Sequence, residues 1–343
     1  MKALLIHQHG GLEQIRFEEI DDPRIGSGQV RVKTKATSLN HLDLHILGGL
    51  PGRALAMPHI LGSDGAGLVD ETGEGANRFS IGDRVMLNAV LSCGKCEFCL
   101  EGQHSLCVKL RLVGENSSGT HGEYFVVPEA NLRKIPEPVS FEEAAAFSLV
   151  FQTAWRMLKT RAQIGSGDDV FIHGIGSGVS TAALKIVKLY GGRVFASSSS
   201  DEKLKLAQQA GADFCYNYTR TDVVKAVLDT TGKRGVDIVV DTVGNATWVQ
   251  SIQLARKGGK IVTCGATSGP NPATDIRLIF WKQLEILGST MSSKQEYQEV
   301  VDLLAEGKLK PVIDQTFPLS EGKKALQYLQ EQKQFGKVVL VVV

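Results

Sequence analysis

Charge bias is missing from this chain. Its 38 Lys and Arg stand against 37 Asp and Glu, a formal charge of +1, so no overall field calls for nucleic acid or an anionic membrane as partner. Long apolar runs are missing too: nothing approaches the roughly eighteen residues of a membrane span. The opening Met1-Lys2-Ala3-Leu4-Leu5-Ile6-His7 is too short an apolar stretch for a secretory signal. Aromatic residues are sparse, and no basic–aromatic stripe of the kind that stacks on bases is present. Outside one cluster of four, the only cysteines are Cys215 and Cys264. That excludes a disulfide framework and points to a reducing cytoplasm. Repeats, linkers and low-complexity tracts are absent beyond Ser197–Ser200. A cytoplasmic enzyme acting on a small molecule is what these absences leave open.

The cysteine cluster reads Cys93-Gly-Lys-Cys96-Glu-Phe-Cys99, then Cys107 after a gap of seven residues. Four thiolates on one short lobe are the ligand set of a closed, tetrahedral structural zinc, with no position open to substrate. Four ordinary buried thiols are the bland alternative, disfavoured by the flanking Lys95, Glu97 and Glu101. A ferredoxin-type cluster would place its fourth cysteine after a three-residue gap and before proline. Here Val108 follows Cys107.

A chain of 343 residues is long enough for two domains, each with its own core. The texture changes near residue 150. Before it, short alternating runs (Val30–Lys35, Gly67–Asp70, Arg84–Leu87, Tyr124–Val127) are separated by Gly, Pro and Asp turns, the pattern of a β-rich unit. After it, apolar strands and helical runs alternate: Asp169–His173, Val179–Tyr190, Arg193–Ala196, Glu202–Ala210, Phe214–Tyr216, Asp222–Asp229, Val236–Asp241, Trp248–Ala255 and Lys260–Cys264. This is the pattern of a doubly wound α/β Rossmann sheet. A helix Ser320–Gln330, with Ser320 as its cap, and a strand Lys337–Val343 are expected at the end.

The first strand of that unit leads into His173-Gly174-Ile175-Gly176-Ser177-Gly178-Val179-Ser180. Glycines here let backbone approach a pyrophosphate and aim helix N-terminal N–H groups at it. Ser180 stands where a third, packing glycine is usual. About twenty residues on, where a carboxylate would hold the ribose 2′-hydroxyl of NAD, the chain has Ser197–Ser200. Ser199 and Glu202 read as a capping box for the next helix. Without that carboxylate, and with Lys203 nearby, a 2′-phosphate is favoured, hence NADP(H) over NAD(H). The serines could also be a polar turn indifferent to the choice.

Taken together, the chain resembles the medium-chain dehydrogenase/reductase superfamily of zinc alcohol dehydrogenases and quinone oxidoreductases. The resemblance rests on Gly62-Ser63-Asp64-Gly65-Ala66-Gly67, Gly82-Asp83-Arg84-Val85, the cysteine lobe, the glycine turn, Asp241-Thr242-Val243-Gly244 and Phe335-Gly336-Lys337-Val338-Val339. It implies a GroES-like β-rich domain over 1–153 and 288–343, with the zinc lobe at 93–107, and a Rossmann domain over 154–287. It implies a homodimer or homotetramer joined through the Rossmann sheet edge, here Leu284–Gly288. Cofactor contacts implied are Thr153, Gly176, Ser177, Gly178, Val179, Ser198, Ser199, Lys203, Tyr218, Val243, Gly265 and Lys337.

The departures from the alcohol dehydrogenase branch carry the functional expectation. The three positions that hold a catalytic zinc there are Asn40, Ser63 and Leu149 here, and Leu42 replaces the hydroxyl of the proton relay, although His45 survives. Asn40 with Asp43 resembles instead the Asn-x-x-Asp of quinone oxidoreductases. Oxidising an alcohol sheds a proton with a pKa near that of water, which zinc lowers from about 15.7 to about 7. At about 1.36 kcal/mol for each pH unit, losing that help forfeits on the order of 12 kcal/mol. A quinone or conjugated carbonyl needs less, because its own π-system accepts the incoming charge. His41, Asp43, His45, His59 and Asp64 could build an unorthodox metal site, but only if His41 to His45 were a strand.

The expectation is therefore an NADP(H)-dependent reductase of quinones or α,β-unsaturated carbonyls. Asn40 would orient substrate, Asp43 hold the loop, Thr153 lie beside the nicotinamide, and a proton come from water or His45. The alternatives are an NAD(P)-dependent alcohol or aldehyde dehydrogenase with a recruited metal, and a nucleotide-binding protein whose enzyme activity is incidental.

Overall fold

The computed structural model describes residues 1–50 and 55–342. The chain forms two compact units. One comprises Met1–Leu149, Ser293–Gly307 and Ile313–Val343; the other comprises Val150–Ser292 and Lys308–Val312.

The first is a β unit built around the strand Gln29–Ser38. Its buried Val30, Val32 and Thr34 alternate with Arg31, Lys33 and Lys35, the period-two pattern of a sheet with one face inward. Gly65–Thr72 pairs antiparallel along most of its length, Tyr124–Pro128 along its first half, and Lys337–Val341 at its end, where Val339 faces Ser38. Ile313–Pro318 lies outside Lys337–Val341, in parallel. A smaller sheet pairs Arg16–Glu19, Lys2–Ile6 and His59–Ile60. Leu4, Ile6, Leu39, Ile46, Leu47, Leu61, Leu326 and Leu340 fill the core beneath.

The second is an α/β unit whose six parallel strands run in the order Phe214–Asn217, Arg193–Ser198, Asp169–Ile172, Val236–Asp241, Ala255–Thr263, Glu285–Gly288. The order reverses between Asp169–Ile172 and Val236–Asp241, which makes the carboxyl ends of those two strands the switch point of a Rossmann sheet. Every residue of Val236–Asp241 is buried, as a central strand covered on both faces demands.

Several local expectations shift. Arg193–Ser198 runs two residues beyond the expected Ala196, so the cap of the helix Asp201–Gln209 is Ser200, whose Oγ accepts the Lys203 N–H; the Ser199–Glu202 box does not form. Ser320 is no cap, because a 3-10 turn, Leu319–Glu321, precedes the helix Gly322–Gln330. The last strand spans Lys337–Val341, and Val343 lies outside the described residues. Several described helices escaped the sequence reading, among them Ile276–Lys282 and two longer ones. Phe141–Trp155 continues into wide turns over Arg156–Arg161, and Lys294–Ala305 starts from a Ser293–Glu296 capping box. Among the described residues no helix is long and apolar enough to cross a membrane.

Candidate functional site

In the α/β unit the nucleotide-type residues gather at the carboxyl ends of the strands. Ser177 caps the twelve-residue helix Gly178–Leu189, its Oγ accepting the Ser180 N–H at 3.1 Å. Ser180, in place of the third glycine, is wholly buried and donates its hydroxyl to the His173 carbonyl at 3.1 Å. The hydroxyl thus finds a partner inside the turn, which keeps its tight path. Gly174 has φ +57°, a left-handed conformation that favours glycine. Val243 and Gly265 follow the ends of Val236–Asp241 and Ala255–Thr263, and Thr153, on Phe141–Trp155, is buried with its hydroxyl 3.8 Å from Met291 Sδ.

Ser198 ends its strand buried, and Ser199 beside it is exposed. Tyr218 is exposed and donates its N–H to the Ser198 carbonyl. Asp201 accepts from Asn217 Nδ2 at 2.9 Å and Arg220 Nη2 at 2.5 Å, and those two hold its carboxyl below the usual range. Arg220 was not singled out in the sequence, where nothing ties it to Asp201, nineteen positions away. The residues present thus suit a dinucleotide: a helix N-terminus behind a glycine turn, small side chains at the ribose end, and cations close by.

Beneath the turn lies a buried polar chain. His173 Nε2 is 3.0 Å from Ser251 Oγ, which donates to Asp241 Oδ2 at 2.7 Å. Burial pushes the His173 pKa down to about 4 against the opposing pull of Asp241. Burial pushes the Cys264 thiol up to about 12, which suits a structural thiol and not a nucleophile.

The β unit holds a second polar centre, assembled where three strand ends meet. Leu39 donates its N–H to the Val338 carbonyl, and the register one step further sets Lys337 against Asn40. Thr37 faces Gly65, which brings Asp64 beside Ser38. The Lys337 ammonium is 2.6 Å from Asn40 Oδ1, 2.8 Å from the Leu39 carbonyl and 3.1 Å from Asp64 Oδ2. Asp64 Oδ2 also accepts from Asn40 Nδ2 and Ser38 Oγ, each at 2.9 Å, and Oδ1 accepts the Leu149 N–H at 2.9 Å. Lys337 and Asp64 are 3 % and 0 % exposed. This ion pair is buried and hydrogen-bonded throughout, the condition for burying charge at tolerable cost. Lys337, expected at the cofactor, has all three ammonium hydrogens committed here.

Asp43 is buried on the helix His41–Gly48, accepting the Asn40 N–H at 2.8 Å and the Gly62 N–H at 3.0 Å. It ties the chain before the helix to the turn before Asp64. Gly62 has φ +104°, and a Cβ there would sit 2.4 Å from His121 Nδ1, so only glycine fits. His45 is exposed on the same helix. His41, half-buried, has its pKa lowered by burial and by the charges of His45 and Lys337. Leu42, at the lost relay position, packs against the apolar core.

The three positions marked for a catalytic zinc therefore present an amide already bound at both ends, a hydroxyl and a leucine. Ser63 Oγ is buried and has no hydrogen-bond partner among the described residues. An ammonium already fills the space between Asn40 and Asp64, and this donor set does not fit zinc. The histidine–carboxylate cluster fails as well: His41, Asp43 and His45 lie on a helix, and among the described residues only the four cysteines form a group that could hold a metal ion. Their sulfurs lie within 4.8 Å of one another. The Cys93 N–H reaches Cys107 Sγ at 3.2 Å, and backbone N–H groups of Lys95 and Cys96 lower the Cys93 thiol to about 6. Burial pushes the neighbouring Cys99 thiol up to about 11, so it is the clustering of four sulfurs, and not a shared pKa shift, that fits a closed zinc site.

A cavity of about 360 Å³ opens in the β unit between Leu55, Ala56 and Pro58 on one side and His59, Asn116, Ser117 and Ser118 on the other. His59 Nε2 is 2.9 Å from the Gly114 carbonyl, and burial lowers its pKa.

A Rossmann sheet with a nucleotide turn, joined in one chain to a β unit holding a polar centre and a four-thiol lobe, defines a nucleotide-dependent oxidoreductase. Residues 26–137 match the model of the alcohol dehydrogenase GroES-like domain, and residues 178–306 that of the zinc-binding dehydrogenase. The chain is 31% identical to an alcohol dehydrogenase of Schizosaccharomyces pombe, over 98% of this chain and 97% of that one. It is also 31% identical to the acryloyl-coenzyme A reductase of Metallosphaera sedula, over 99% of each. The crystal structure of an NAD-dependent alcohol dehydrogenase matches with a TM-score of 0.96 at 43% identity, covering 100% of both chains. The chain belongs to the medium-chain dehydrogenase/reductase superfamily and is a medium-chain oxidoreductase.

Proposed function

We propose that this chain is an NADP(H)-dependent reductase that delivers hydride to a quinone or to the β-carbon of an α,β-unsaturated carbonyl, without a metal at the reacting centre. The observation that carries this reading is the Lys337 ammonium seated between Asn40 and Asp64. A fixed cation paired to a carboxylate cannot act as a Lewis acid on an alcohol, whose proton would remain about as hard to remove as one from free water. It can support a hydrogen bond to a carbonyl oxygen, which is all that a conjugated acceptor needs.

When bound, NADPH supplies the hydride; an enone takes it at the β-carbon and a proton at the α-carbon, leaving NADP⁺ and the saturated carbonyl. Asn40 presents its amide to the substrate oxygen. Asp43 fixes the Asn40 and Gly62 backbone, and so the entry to the site. Thr153 lies beside the nicotinamide, and the proton comes from water at His45 or His41. Preference for NADP(H) rests on Ser198 at the strand end where NAD would need a carboxylate, with Lys203 and Tyr218 gripping the 2′-phosphate. The same reading takes the edge strand Glu285–Gly288 as the joint between two copies. The exposed Ile276, Phe280, Trp281 and Ile286 lie on that strand or on the helix before it.

The alcohol dehydrogenases among the relatives favour a second reading, in which a recruited metal supports alcohol oxidation. Steady-state assays separate the two. Reduction of a small enone or benzoquinone by NADPH should survive chelator, and benzyl alcohol oxidation should stay feeble with or without added zinc. Fast alcohol oxidation that follows a removable divalent metal would overturn the reductase reading.

A further inference from the structure

We propose that Lys337 is the positioning residue of this centre: a built-in cation that stands where a metal would, orients the Asn40 amide and sharpens its one loosely held N–H for the substrate oxygen. The inference rests on the reductase reading above.

The orientation follows from the donors and acceptors alone. An ammonium only donates, so the Asn40 atom 2.6 Å from it is Oδ1. An ionised carboxylate only accepts, so the atom 2.9 Å from Asp64 is Nδ2. The amide therefore has one allowed orientation, set by a cation at one end and an anion at the other. One Nδ2 hydrogen goes to Asp64. The other points to the Ser38 carbonyl at 3.4 Å, beyond the usual range of an N–H···O bond. Asn40 is 8 % exposed where its two partners are almost wholly buried, and this second hydrogen is the donor the centre can offer a ligand.

Hydrogen bonds in such a chain strengthen one another, by about 10–30% per bond. A cation accepted at Oδ1 draws electron density from the amide nitrogen and makes its N–H the better donor. Hydride arriving at a conjugated carbon puts negative charge on the carbonyl oxygen, and a stronger donor helps most at that moment. Because every ammonium hydrogen is already engaged, Lys337 acts through Asn40 and does not touch the substrate. It also bars a divalent cation from the same space by like charge.

The test uses the full chain with NADPH and a small enone, and compares Lys337→Met, Lys337→Ala and the double variant Lys337→Met/Asp64→Asn. Removing the ammonium alone strands the Asp64 carboxylate and lowers the melting temperature; the double variant removes both charges and regains it. The expected result is that kcat falls in all three by roughly ten- to a hundredfold, the worth of one charge-assisted hydrogen bond, with the NADPH Kd within about twofold. Ethylammonium added to Lys337→Ala should restore part of kcat by refilling the space. A double variant that recovers kcat along with its melting temperature would reduce Lys337 to a structural ion pair and overturn the proposal. So would a Lys337→Met chain that keeps its kcat but loses NADPH affinity, since Lys337 would then be a phosphate ligand. If the unmutated chain reduces neither quinone nor enone, the reductase reading itself fails and this proposal with it. If the unmutated chain is active and the double variant equally so, only this proposal fails.

Discussion

Acid should destabilise the α/β unit through His173. Its imidazole lies at the end of the first strand, 2 % exposed, with Nε2 on Ser251 and its ring edge against Phe171 at 4.7 Å between centroids. Burial lowers its pKa from 6.5 to about 4 in the fold, whereas an unfolded chain restores the ordinary value. A base whose folded pKa is depressed contributes its full stability above the unfolded pKa and loses it as pH falls toward the folded one. The window is therefore pH 6.5 down to about 4. At about 1.36 kcal/mol for each pH unit, the loss across it is roughly 3 kcal/mol. His41 and His59 are lowered in the same direction, so the whole protein will show a larger effect. His173→Gln isolates one share, since glutamine can still meet Ser251 but carries no proton to gain. Urea unfolding of both chains at several pH values measures the difference in stability between them. That difference should narrow by about 3 kcal/mol between pH 7 and pH 4, because only the His173 chain loses the share. A gap that stays constant across the range would refute the argument.

Elemental analysis of the purified chain should find one zinc, and Cys96→Ser should lose it, with a lower melting temperature and nucleotide binding retained in the folded fraction. Two firmly held zincs per chain would contradict the account of the Asn40 centre. NADPH should bind more tightly than NADH by fluorescence titration, and Lys203→Ala should weaken NADPH alone, by roughly ten- to a hundredfold for one charge-assisted contact. Equal affinities in the unmutated chain would remove the basis for the preference. Trp281→Asp, placed on the exposed apolar surface near the sheet edge, should shift sedimentation toward monomer, and an unchanged oligomer would move the joint elsewhere.

Much of the scaffold is legible in the chain because its signals are local. The zinc lobe needs four thiolates on one lobe, and Cys93 to Cys107 supply them within one short stretch. The Rossmann sheet announces itself by alternating apolar strands and amphipathic helices, and the turn at Gly174–Gly178 by its glycines. Errors at this level are small and have local causes: Ser200 replaces Ser199 as a cap because a strand ran two residues further.

The polar centre of the β unit was legible only as a loss. By resemblance Asn40, Ser63 and Leu149 stand where alcohol dehydrogenases hold a catalytic zinc, yet nothing in the chain says what stands there instead. Lys337 is 297 residues from Asn40 and 273 from Asp64, and in sequence it reads as a cation near the cofactor. Only the antiparallel register of Lys337–Val341 on Gln29–Ser38, with Gly65–Thr72 on the other side, brings the three together. The physical reason is that a glycine turn or a ligand spacing is a property of neighbouring residues, whereas the partner of a buried charge is chosen by strand pairing, which the local sequence does not encode.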